Sequence, residues 1–175
     1  MRWFRDTITI QTGQNQEFVD VTKRVRDVVA RSEIRNGMLI VSSLHTTMAL
    51  FMNEFQSALI HDLGEVLQRL VPRRDGYRHD DPRYSDCDRG NGHAHLRATL
   101  LGRSVAVAVQ GGEPALGQFE NLIIAELDGP RTRSLSVLVM GESFIGGGPL
   151  IEKGAPSEYL RAVGGRPVRE HEGAG

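Results

Sequence analysis

The chain has 175 residues, a formal net charge of -1, six histidines and a single cysteine. Such a length suits one domain that buries a core without covalent staples, and the balanced charge supplies no global field for nucleic acid. One cysteine excludes an intramolecular disulfide framework, which fits a reducing cytoplasm. No apolar run approaches the roughly 20 residues that span a bilayer, and the opening Met1-Arg2-Trp3-Phe4-Arg5-Asp6 lacks the apolar stretch of a secretory signal.

Residues 3–12 read as a first strand, with Phe4, Ile8 and Ile10 on one face and Arg5, Thr7 and Thr9 on the other. A turn over 13–16 follows. Val21, Val25, Val28 and Val29 then recur at helical spacing, with Asp20 or Thr22 as the cap. Arg35-Asn36-Gly37 reads as a turn before a buried run over 38–43. The polar triplet His45-Thr46-Thr47 lies between that run and a second apolar one over 48–52. Residues 57–70 form the clearest helix: Leu59, Leu63, Val66, Leu67 and Leu70 make one face, Ser57 caps it and Pro72 stops it.

Residues 73–90 have no periodicity, and an aperiodic stretch of that length inside a compact domain is often functional. It leads to Asn91-Gly92-His93-Ala94-His95-Leu96. In an extended strand His93 and His95 project to the same side and can meet one ion or anion; in a helix they diverge. A short helix or strand end over 96–101 stops at Gly102. Strands follow over 104–110, 118–127 and 131–140, joined by turns at Gly111-Gly112-Glu113-Pro114 and Asp128-Gly129-Pro130, which suggests an antiparallel meander. Gly146-Gly147-Gly148-Pro149 and Gly164-Gly165 have linker chemistry. The extension over 142–175 is therefore expected to be partly disordered, or to dock on a neighbouring subunit through Phe144, Ile145, Leu150 and Ile151.

Leu44-His45-Thr46-Thr47, Asn53-Glu54, the helix bearing Asp62, Tyr77-Arg78-His79, Asn91-Gly92-His93-Ala94-His95-Leu96, Leu100-Leu101-Gly102 and Glu126-Leu127-Asp128-Gly129-Pro130-Arg131 occur in one order. In that order and spacing the chain, over residues 1–141, resembles the YjbQ-like family, some members of which are described as secondary thiamine-phosphate synthases. The resemblance implies a single compact α+β domain of largely antiparallel, β-sandwich-like sheets with two main helices, assembled as a cytoplasmic homotrimer. It implies that His45, His79 and His95 gather around a divalent metal, zinc, or an anion, with His93 more variable. The family's usual Gly-Thr-Trp-Gln is replaced by Gly117-Gln118-Phe119-Glu120, which bears on substrate identity.

Three imidazoles with a fourth position open would form a catalytic zinc site, with Asp62, Asp80 and Glu126 as partners for the outer ring nitrogens. On this reading His45, His79, His95 and Glu126 carry the chemistry. Thr46, Thr47, Asn91, Arg97 and Arg131, with Arg133, would hold a phosphorylated small molecule; a solvated strand face with ordinary ion pairs explains the arginines equally well. Cys87 lies between Asp86 and Asp88, which disfavour its thiolate. A metal-dependent hydrolase would use the same residues, and a non-catalytic trimer that binds a metal or anion would need only some of them. A cupin site would require a glutamate soon after His-x-His, where this chain has Leu96-Arg97-Ala98-Thr99. A barrel hydrolase would need about 250 residues.

Overall fold

A computed structural model describes residues 1–143; expectations for Phe144 and beyond lie outside the described residues. The elements run β1 (Arg2–Gln11), β2 (Glu17–Asp20), α1 (Thr22–Ser32), β3 (Ile34–Ser43), β4 (Met48–Asn53), α2 (Ser57–Leu70), a 3-10 turn (Arg78–Asp80), α3 (Gly92–Leu101), β5 (Ser104–Gln110), β6 (Glu113–Pro114), β7 (Asn121–Glu126) and β8 (Thr132–Ser143). They make an α+β domain of two antiparallel sheets: β1-β8-β3-β5-β6, and β2-β7-β4.

The core has two layers, which explains why some strands alternate and others do not. Ile8 and Ile10 of β1, Leu39 and Val41 of β3, and Leu135, Val137 and Val139 of β8 face inward from the five-stranded sheet. They meet Met48, Leu50, Leu122 and Ile124 of the smaller sheet and the valines of α1. Behind the smaller sheet, Ala49, Ala125 and Leu127 pack against Leu67 of α2 and Ala94 and Ala98 of α3. Strand β7 therefore has a core on each side, and its apolar run Leu122-Ile123-Ile124-Ala125 has no polar face. Each fully buried valine at the start of α1 or within it (Val21 at the N-cap, Val25 and Val29) contributes ~1.5–3 kcal/mol from burial.

Several expectations need correcting. The last three long strands are not a meander: β5 and β8 flank β3 in one sheet, and β7 belongs to the other. Arg35-Asn36-Gly37 is not a turn but the irregular start of β3, where the register shifts beside β8. Strand β2 had no sequence signal, and β8 extends to Ser143. Gln56, not Ser57, caps α2, its side chain accepting from the Leu59 N–H at 2.8 Å. Of the apolar face of α2 only Leu67 is buried.

The largest correction falls on His93 and His95: the helical alternative for 96–101 extends back to Gly92, and α3 replaces the extended segment in which the two rings would share a side. Two residues on a helix are about 200° apart, so His93 is buried while His95 turns outward. Ala94 and Ala98, one turn apart, provide the face that packs against the smaller sheet. The start of the helix is fixed by Asp80, whose Oδ1 accepts from Gly92 N–H at 2.8 Å. A Cβ at Gly92 would lie 2.9 Å from that oxygen, so glycine allows the 3-10 turn to sit on the helix start.

Candidate functional site

Where β3 ends, the chain turns over Leu44-His45-Thr46-Thr47 and re-enters the smaller sheet at Met48. Ser43 Oγ shapes the turn, accepting from His45 N–H at 3.2 Å and donating to the His45 carbonyl at 3.1 Å. The ladder with β8 does not stop cleanly. Leu44 N–H still donates to the Ser134 carbonyl, but Ser134 N–H donates to His45 Nε2 at 2.9 Å. An imidazole thus replaces a strand carbonyl as the acceptor.

Beneath this turn lies a buried charge pair. Glu126 is fully buried, and both its oxygens accept from Arg133, through Nε to Oε2 at 2.6 Å and through Nη2 to Oε1. Thr12 Oγ1 donates to Oε2 at 2.9 Å, and Asp128 N–H to Oε1 at 2.8 Å. Burial pushes the Glu126 carboxyl up, but these hydrogen bonds outweigh it and hold the group below the usual carboxylate range. Arg133 Nη2 also donates to Thr47 Oγ1 at 3.0 Å. Arg131 is held in parallel, Nε to the Asp128 carbonyl at 2.6 Å and Nη2 to Asp128 Oδ2 at 2.8 Å. The Nη1 groups of both arginines have no acceptor among the described residues. Gly129 lets this turn close, since a Cβ there would stand 2.3 Å from the Gln14 carbonyl.

Opposite stand the aperiodic loop and α3. His79 Nδ1 lies 2.9 Å from Asp80 Oδ1, the atom that also caps α3. Burial raises the Asp80 carboxyl, but the bonds from His79 and Gly92 bring it below its ordinary value. The His79 and His95 rings are 4.8 Å apart between centroids and tilted by 44°. Burial, then the proximity of His79, lowers the His95 pKa. Asn91 Nδ2 donates to Asp128 Oδ2 at 2.9 Å and ties the two sides together.

Between the sides lies an open cleft of about 620 Å³. His45, Thr46, Thr47, Arg131 and Arg133 line one wall, and Cys87, Arg89, Asn91 and His95 the other. Eight expected site residues meet here: His45, Thr46, Thr47, Asn91, His95, Arg131 and Arg133 line the cleft, and His79 stacks behind His95. Two are not in it. Glu126 lies beneath the floor and positions Arg133. Arg97 is buried elsewhere, donating to the Val71 carbonyl at 2.9 and 2.8 Å, Gln16 Oε1 at 2.5 Å and Gln68 Oε1 at 2.7 Å. It joins α3 to the end of α2, with each of its side-chain nitrogens donating to a protein acceptor. Cys87 and Arg89 were not expected, and nothing in the pattern of their loop marked them.

Among the described residues no group of three or more His, Cys, Asp or Glu side chains is arranged to hold a metal ion. His45 Nε2 is committed to Ser134, whereas the bond between His79 Nδ1 and Asp80 is the outer-nitrogen contact a ligand histidine would have. The three-histidine zinc shell implied by the resemblance is therefore not assembled within one chain.

Residues 6–142 match the family model described as UPF0047 protein YjbQ-like. The chain belongs to the YjbQ-like family. It is 42% identical over 130 residues to a UPF0047 protein of Archaeoglobus fulgidus, covering 74% of this chain and 96% of that one. A UPF0047 protein of Methanothermobacter thermautotrophicus is 38% identical over 142 residues, covering 81% and 95%. The crystal structure of a YbjQ-like protein of unknown function from Sulfolobus solfataricus superposes with a TM-score of 0.75 at 32% identity, over 81% of this chain and 99% of that one. A hypothetical protein from Aeropyrum pernix gives 0.73 at 31%, over 79% and 99%. The YjbQ-like fold thus accounts for the described domain. Among the described residues no helix is long and apolar enough to cross a membrane.

Proposed function

We propose that the cleft binds a phosphorylated small molecule and that the chain is an enzyme acting on it. The observation that carries this reading is the pair Arg131 and Arg133. Each is fixed by a carboxylate, and each keeps an Nη1 group without an acceptor among the described residues, at the wall of one cleft. Preset guanidinium groups of this kind suit phosphate oxygens. Thr46 and the Thr47 hydroxyl add donors, and Arg89 adds charge from the opposite wall. His95, neutral at pH 7 because its pKa is lowered, accepts or returns a proton. His79 stands behind it, with its Nδ1 proton directed to Asp80.

The transfer suggested by the resemblance couples a pyrimidine diphosphate to a thiazole phosphate. A carbon–oxygen bond breaks and pyrophosphate leaves with the electron pair, so the arginine wall would stabilise the departing charge. The described residues of one chain do not fit the implied zinc, so none of these roles depends on a metal. The working unit in this reading is a cytoplasmic homotrimer, as the resemblance implies; light scattering on the purified protein checks the assembly. The functional test is pyrophosphate or phosphate release from a panel of phosphorylated substrates. Turnover by the wild type and its loss in His95→Ala support an enzyme. Saturable binding of pyrophosphate without turnover of any member would leave a non-catalytic anion-binding protein, and an unchanged rate in His95→Ala would remove His95 from the chemistry.

A further inference from the structure

The resemblance gives His45 the part of a metal ligand, and its surroundings contradict that. A backbone N–H can only donate, so the nitrogen that receives Ser134 N–H must carry a lone pair. That nitrogen is Nε2, at 2.9 Å. The reversed ring would set a carbon against the donor and leave a strand N–H unmatched at the end of the β3–β8 ladder. A ring whose Nε2 accepts is not the imidazolium, because that cation has a proton on both nitrogens and no lone pair. A neutral imidazole that accepts at Nε2 carries its one proton on Nδ1. Nδ1 has no partner among the described residues and is not among their buried unpartnered atoms, so it is solvent-accessible on a residue that lines the cleft. The same wall holds Arg131 and Arg133, which only donate, and Thr46, whose hydroxyl can donate. A metal at Nδ1 would need the opposite tautomer, with a proton on Nε2 directed at the Ser134 N–H.

We propose that His45 is a ligand-binding residue that donates a hydrogen bond from Nδ1 to the bound anion, with its tautomer fixed by the Ser134 backbone N–H. This rests on the anion reading of the cleft and gives its binding wall a fifth donor beside Arg131, Arg133, Thr46 and Thr47, leaving proton transfer to His95 on the other side.

The test is nitrogen NMR of the histidine rings in full-length protein labelled with 15N-histidine. The free protein should show His45 with a protonated Nδ1 and a lone-pair Nε2. Inorganic pyrophosphate should shift Nδ1 and leave Nε2 in place, while zinc alone should move neither. Two variants separate binding from structure. Asparagine places an amide donor near the Nδ1 position, and glutamine an acceptor near the Nε2 position. His45→Asn should keep most of the pyrophosphate affinity, and His45→Gln should lose roughly tenfold or more, as for a hydrogen bond to a charged group. A protonated Nε2, or a zinc-dependent shift at Nδ1, overturns the assignment. So does glutamine outperforming asparagine, the result expected if His45 only completes the ladder. Wild-type protein that binds no pyrophosphate overturns the anion reading and the donor role together. Wild-type binding with unimpaired His45→Gln overturns the donor role alone.

Discussion

On one side of the cleft, His45, Thr47 and Arg133 sit where β3, β4 and β8 converge, over a carboxylate that no water reaches. On the other, Cys87 and Arg89 ride on an aperiodic loop, and His95 projects from the first turns of α3. The first wall is set by strand register and a buried ion pair, so His45, Thr47, Arg131 and Arg133 are fixed by partners that also stabilise the fold. The second is set by one capping carboxylate and is half-exposed. The contrast suggests a division of labour: a rigid wall that binds, and a more adjustable wall that carries the proton chemistry.

The strongest way to break this contrast is at Glu126. Glu126→Gln leaves Arg133 charged and unpaired in the interior, where breaking such a pair costs about 3–5 kcal/mol. Urea denaturation should show that loss, and pyrophosphate affinity should fall with it. The double variant Glu126→Leu with Arg133→Met should recover much of the stability, because apolar replacement of both partners is tolerated, but none of the affinity. If it binds as well as wild type, the rigid wall is not the binding wall.

Asp80→Ala should act on the other wall and cost less, about 1–2 kcal/mol, as for loss of a helix cap. It should impair turnover through His79 and His95 while leaving pyrophosphate affinity nearly intact; equal losses in both would erase the contrast. The acid side of the stability curve provides a related check. Glu126 and Asp80 are both held below their ordinary values. Their stabilisation is complete above the unfolded carboxylate range, about pH 4, and is lost as pH falls through the lower folded values. The melting temperature of Asp80→Asn should therefore fall less steeply than that of wild type below about pH 4.

Arg131→Gln should be mild for the fold. Its ion pair with Asp128 is partly exposed, and such pairs contribute ~0.2–1 kcal/mol. Affinity for pyrophosphate should nevertheless drop roughly tenfold or more, in line with loss of a charged hydrogen-bond donor. Thermal melting and calorimetric titration on the same sample separate the two effects.

The two walls also differ in how legible they were. His45-Thr46-Thr47 is a polar triplet between two apolar runs, and a strand break is where side chains can be spared from the core. Glu126 closes the apolar run Leu122-Ile123-Ile124-Ala125, where a buried carboxylate needs a cation. It was read as catalytic because spacing alone does not tell a floor from a lining. Arg97 misled for a similar reason: its acceptors, Val71, Gln16 and Gln68, come from segments whose meeting is a product of the tertiary fold. On the other wall, the His93 and His95 spacing suggested a strand because two residues apart is the strand period. The alanines at 94 and 98, and Asp80 twelve residues upstream of Gly92, decided for a helix. His79 and His95 still meet, because the 3-10 turn sits on the helix start. Cys87 and Arg89 come from a loop whose path no periodicity encodes.

The claim beneath all of this is that one wall of the cleft is a preset phosphate-binding surface. The most direct measurement is a crystal structure of the full chain with inorganic pyrophosphate bound. The account predicts pyrophosphate oxygens within hydrogen-bond distance of Arg131, Arg133 and Thr46, on the side of the cleft away from His95. Pyrophosphate bound elsewhere on the chain, or an unbound cleft at saturating pyrophosphate, would contradict it.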